Sequence, residues 1–218
     1  MARHTFHEEL EQLQRDLLKM GTLVSKAIED AVASLAKVDV VLARQVIDGD
    51  DTVDQMMINI EKRCLELMAL QQPLAKDLRT IGTALKIVTD LERMADHAVD
   101  IAKVTVRLEG ETLIKELIDI PAMAHRVQAM IREALEAYVN RDVEHATRMI
   151  AMDDVIDRTY NEVFEELMGI MQAEPSKTKQ ATYLLLVALY LERVGDHATN
   201  LGEWTIYMVT GELKDMNT

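Results

Sequence analysis

The string Glu-Arg-x-x-Asp-His-Ala occurs twice, from Glu92 to Ala98 and from Glu192 to Ala198, each copy preceded by a leucine (Leu91, Leu191). Residues four apart share a helix face. Glu92 and Asp96 therefore form one carboxylate strip, which Asp100 extends by a further turn, and the second copy offers Glu192 and Asp196 followed by Asn200. Like charges at this spacing destabilise a helix by roughly 0.2–0.5 kcal/mol per pair, so repeating the arrangement points to a cation lying over each strip. Hard cations take several oxygen ligands, whereas iron and zinc sites usually add a histidine or cysteine. Further oxygens are at hand in Asp51 and Asp54, with Asp50 close by, and in Asp154 and Asp157, with Asp153 beside them. The expected metal ligands are Glu92, Asp96, Asp100, Asp51 and Asp54 in the first half. In the second they are Glu192, Asp196, Asn200, Asp154 and Asp157. A solvated acidic face accounts for either copy alone; the duplication favours the cation. His97 and His197 sit one residue past the aspartates, a rotation of about 100° around the helix. They point away from the strip's centre, as peripheral ligands, surface groups or partners to an acid. Arg93 and Arg193 read as ion-pair partners or partner contacts.

The strips need long helices to carry them, and apolar residues at spacings of three and four supply the pattern. The spacing predicts helices over about Thr5–Lys37, Val40–Gln71 and Leu74–Leu108, the second softened near Gly49-Asp50-Asp51 and stopped by Gln71-Gln72-Pro73, with Gly110 ending the third. The second half repeats the plan over Pro121–Asn140, Asp142–Met171 and Thr178–Val209, broken at Glu174-Pro175-Ser176. Ile47–Asp54 aligns with Ile150–Asp157 at an offset of 103, and the carboxylate strings align at 100, so the turn at Pro175 is shorter than the one at Pro73. Short turns make successive helices antiparallel neighbours. The expected fold is all-α, two tandem repeats of an antiparallel three-helix bundle, 1–112 and 113–218, with a single undivided six-helix bundle as the alternative. The end of the second helix in each repeat that bears Asp51 or Asp154 should meet the later part of the third.

Composition narrows the functional classes. Gly and Pro number 8 and 3 and aromatics are 4%, which favours helix over sheet. The lone Cys64 excludes an intramolecular disulfide and fits a reducing compartment. No apolar run approaches about 18 residues and the N-terminus lacks a signal core, so the expectation is a cytoplasmic protein without membrane insertion. A formal charge of −14 disfavours nucleic acid and anionic bilayers and favours cations or basic protein surfaces. No Gly-rich phosphate loop and no Gly-x-Ser-x-Gly string is present.

Two three-helix repeats, each with Leu-Glu-Arg-x-x-Asp-His-Ala, resemble the PhoU family. So do the runs Gln72-Pro73-Leu74-Ala75-Lys76-Asp77-Leu78-Arg79 and Ala84-Leu85-Lys86-Ile87-Val88-Thr89-Asp90-Leu91. The resemblance covers essentially the whole chain and departs from the pattern at Asn200 and at Lys177-Thr178-Lys179. It implies a non-enzymatic, often dimeric negative regulator of the phosphate-starvation response. Such a protein connects the ATPase of a phosphate ABC transporter to a sensor histidine kinase. It also implies bound divalent or trivalent metal ions (Fe, Zn, Mn or Mg), with Glu92, Asp96, Glu192 and Asp196 as the motif ligands. A ferritin-like di-metal oxidase or metal store is the rival, but its Glu-x-x-His motif is absent: Met94, Val194 and Asp142 precede His97, His197 and His145 by three. A metal-free helical scaffold is the remaining alternative, and it would show no metal-dependent stability.

Overall fold

The computed structural model describes residues 2–71 and 73–212. Met1, residues 213–218 and Gln72, the middle of the expected stop at Pro73, lie outside the described residues. Those described are all-α: α1 (Ala2–Lys37), α2 (Val40–Gln71), α3 (Ala75–Arg107), α4 (Asp119–Asn140), α5 (Val143–Ile150), α6 (Asp153–Ala173) and α7 (Thr178–Thr210), the last entered through a 3-10 turn over Pro175–Lys177. Helices α1, α2 and α3 pack together, as do α4, α7 and the α5–α6 pair.

The two repeats begin their second helices through the same device. Val38 and Arg141 both take a left-handed conformation, with φ of 52° and 55°, a cost of roughly 1–2 kcal/mol for a residue with a Cβ. The aspartate that follows each then caps the next helix: Asp39 accepts from the N–H of Val41 and Leu42, and Asp142 from that of His145. Such caps contribute about 1 kcal/mol each. They reverse the chain within two residues, which makes the flanking helices antiparallel.

The fifth predicted helix is not one helix. It breaks at Ala151–Met152, where Met152 N–H bonds to Met149 and Val155 N–H to Met152, both tightened to the i→i+3 pattern. The aligned position in the first repeat is Gly49, where a softening was expected, yet α2 runs unbroken through it. A Cβ on Gly49 would meet nothing within 4 Å, so this glycine lowers helix propensity without opening the helix. The reason for the break lies on α7. A Cβ on Gly202 would lie 2.6 Å from Met149 Cε and 2.9 Å from Ile150 Cγ1, and one on Gly195 would lie 2.7 Å from Asp153 Oδ1. These two notches, seven residues apart on one face, admit both sides of the break. The first repeat has Ala95 and Ala102 there, whose methyl groups occupy the space that the glycines leave open.

Helices α3 and α7 are central. Each is buried on more than one side, and they pack against each other as extensively as α3 packs on α1 or α2. One continuous apolar core runs through both repeats. Within it the Tyr138 hydroxyl has no hydrogen-bond partner, and burial pushes its phenol well above the ordinary value. An unmet buried hydroxyl is a cost, so Tyr138→Phe should stabilise the protein by about 1 kcal/mol. Urea denaturation measures this, and a clear loss of stability would mean that the hydroxyl has a partner.

Candidate metal centres

On α3, Glu92 and Asp96 lie near Asp54 of α2, with Asp50 close by, and Asp100 continues the strip beside Asp96 and His97. All three of Glu92, Asp96 and Asp50 have raised carboxyl pKa values. Burial is the largest cause for each. Next come Asp96 and Asp54 for Glu92, Asp54 and Asp100 for Asp96, and Asp54, Asp96 and Asp51 for Asp50. Lys103 partly offsets this crowding and holds Asp100 at 3.0 Å, so one expected ligand already has a cation.

The second repeat is more tightly built. Asp153 is only 9% exposed, and its Oδ1 has no hydrogen-bond partner; neither does the buried Oε2 of Glu192. Burial first, then Asp157, Asp196, Glu192 and Asp154, pushes the Asp153 carboxyl up to about 7. Glu192 is raised by burial and Asp196, and Asp157 by burial, Asp196 and Asp154. Buried anionic oxygens without donors are unfavourable, and a bound cation would satisfy them. Asp153 and Glu192, with Asp157 and Asp196, are the residues that would hold one.

Three placements differ from the sequence expectation. Asp51 and Asp154 are exposed at the rim, whereas Asp50 and Asp153 turn inward. The pairs Asp50/Asp54 and Asp153/Asp157 are spaced i,i+4 like the Glu/Asp pairs whose carboxyls they perturb; that matching spacing was the signal for them. Asn200 donates from Nδ2 to Asp90 Oδ1 at 3.3 Å, in the seam between α3 and α7. The histidines lie in the same seam. His197 Nδ1 is 2.9 Å from Asp90 Oδ1, and His97 stacks between His197 and Tyr190 at 5.8 and 5.7 Å. Burial, and then His197, lowers His97 to about 4, so its ring is neutral at physiological pH.

A family profile described as PhoU domain matches residues 17–105 and again residues 120–205. The chain belongs to the PhoU family. It is 44% identical to the "phosphate-specific transport system accessory protein PhoU homolog" of Clostridium acetobutylicum, over 218 residues and the full length of both chains. It is 37% identical to the protein so named in Caulobacter vibrioides, covering 97% of this chain and 94% of that one. The crystal structure of PhoU from Pseudomonas aeruginosa superposes with a TM-score of 0.89 at 37% identity, covering 95% of this chain and all of that one. The phosphate transport system regulatory protein PhoU from Streptococcus pneumoniae gives 0.90 at 31% identity, with 97% and 100% covered.

The two strips of this PhoU-family chain are open arrays. Among the described residues, one set of three metal-ligating side chains has its ligand atoms all within 4.8 Å of one another. That set is Glu133, Glu136 and His145, on neither strip. Mutual repulsion spreads the strip carboxylates, and a cation would have to draw them together. Among the described residues no helix is long and apolar enough to cross a membrane.

Proposed function

We propose that this PhoU-family chain is a non-enzymatic, metal-binding accessory and regulatory protein of phosphate transport. In this reading it works in the cytoplasm as a homodimer and links the ATPase of a phosphate ABC transporter to a sensor histidine kinase. The family membership and the relatives' names support the phosphate-transport part. The observation that carries the metal part is the pair of buried oxygens without a hydrogen-bond donor, Asp153 Oδ1 and Glu192 Oε2, inside a duplicated carboxylate strip, where the only cation beside Glu192 Oε2 among the described residues is Arg193 Nε at 3.9 Å. Metal would neutralise the repelling strips and draw α2 onto α3 and α6 onto α7, stiffening each repeat. The acidic net charge of −14 supports docking on basic surfaces of protein partners.

Elemental analysis of untagged protein, then thermal unfolding of the metal-free chain with Mn, Fe, Zn and Mg added in turn, tests the metal. Saturating ion at 100 times its Kd adds about 2.7 kcal/mol of stability. That gain should vanish when Glu92, Asp96, Glu192 and Asp196 are all replaced by alanine. Co-purification with the transporter ATPase and the kinase, with and without metal, tests the adaptor role. A metal-free scaffold is the second reading, favoured by the Lys103–Asp100 ion pair and by the open spacing of the strips. It predicts no metal response in either protein.

A further inference from the structure

We propose that Glu133, Glu136 and His145 form a separate binding site for a zinc-class divalent cation at the junction of α4 and α5. The three side chains already offer ligand atoms within 4.8 Å of one another. Zinc bonds run about 2.0–2.2 Å to nitrogen and oxygen, so two ligands across one ion stand up to roughly 4 Å apart, and small side-chain movements close the set. One nitrogen and two carboxylates match zinc's preference, with a fourth position left for water.

The frame is rigid. Glu133 and Glu136 lie one turn apart on α4, and His145 lies in the first turn of α5. The left-handed Arg141 and the Asp142 cap lock the angle between the two helices. His145 Nε2 lies 2.6 Å from Glu133 Oε2, with a proton held between them. Zinc would take the place of that hydrogen bond, with the imidazole ligating through the Nε2 lone pair as the neutral ring that carries its proton on Nδ1. Glu136 makes no hydrogen bond or ion pair among the described residues, so nothing competes for it there. Arg132 Nη2, 3.7 Å from Glu133 Oε1, is the competing cation, and it is exposed enough to swing away.

Nothing in the duplicated motif predicts this cluster. At the 103-residue offset the first repeat has Asp30, Ala33 and Leu42, and its Asp30 is held by Lys26. The site belongs to the second repeat alone. His145 lies eight residues before Asp153 on the α5–α6 arm, so a bound ion would pin α5 to α4 just ahead of the break.

The test is a zinc titration of the full chain labelled with ¹⁵N-histidine, reading the ring nitrogens of His145. These report on this site even if the strips also take zinc. The expected result is a saturable shift of the His145 ring at zinc levels that leave the exposed His7 and His125 unchanged, reversed by EDTA. Glu136→Gln, at an exposed position that should leave folding intact, is expected to weaken the response by at least about tenfold, the lower end of what loss of a supporting partner costs. His145 resonances that ignore zinc, or that respond equally in Glu136→Gln, would overturn the site and leave a plain ion pair between α4 and α5.

Discussion

Replacing Asp153 with asparagine is expected to stabilise the metal-free protein at pH 8 by roughly 2–4 kcal/mol, and to change it little at pH 4. The carboxyl is raised from 3.8 to about 7 in the folded protein, chiefly by burial and then by Asp157, Asp196 and Glu192. Between about pH 4 and 7 the folded chain therefore holds a proton that the unfolded chain has lost. Stability must fall as pH rises through that window, and the deficit is complete above it. Asparagine keeps the shape and removes the ionisation, so most of the pH slope should disappear. The raised Glu192 and Asp157 leave a smaller slope of the same sign. Urea denaturation of chelator-treated protein from pH 4 to 8 measures the effect. Metal reverses the sign, because a cation favours the ionised strip, so the same variant should lose any stabilisation that Mn or Mg confers through the second repeat. Identical stabilities of parent and variant at pH 8 would mean that Asp153 is ionised and already satisfied without metal.

Asp90→Ala is expected to destabilise the protein by about 3 kcal/mol. Asp90 is 6% exposed and receives both His197 Nδ1 at 2.9 Å and Asn200 Nδ2 at 3.3 Å, each from the other repeat. Removing the carboxylate leaves two half-buried polar groups without this acceptor, and that desolvation is the larger part of the cost. A double-mutant cycle with His197→Ala separates this coupling from lost packing. Additive single effects would show that Asp90 does not tie α3 to α7.

Both residues show where the sequence was readable. The strips were visible because helical periodicity and duplication are local properties: spacing along the chain fixes which side chains share a face. Choosing among three neighbouring aspartates was a different matter. Asp50, Asp51 and Asp54 occupy successive positions around α2, and which of them faces α3 depends on how the helix is rotated, which α1 and α3 jointly decide. The rotation turns Asp50 and Asp54 inward and leaves Asp51 at the rim. Asn200 stands in register with Asp100, yet its amide is taken by Asp90, a residue whose acceptor role depends on α7 lying against it.

What this sequence determined by itself were the helices and their near-boundaries, the two-fold repeat, the acidic strips and the family resemblance. Each rests on contacts or patterns within a few helical turns of one segment. What only the tertiary structure decided were the seam in which α3 and α7 bury Asp90 and half-bury the two histidines, and the break at Ala151–Met152 opposite Gly195 and Gly202. It also decided the inward turn of Asp153 and the meeting of Glu133, Glu136 and His145. These join groups on different helices, and their geometry is set by how closely the helices approach and how each is rotated about its axis. Side-chain volume on the facing helix controls both quantities, and the pattern along either helix alone does not encode them.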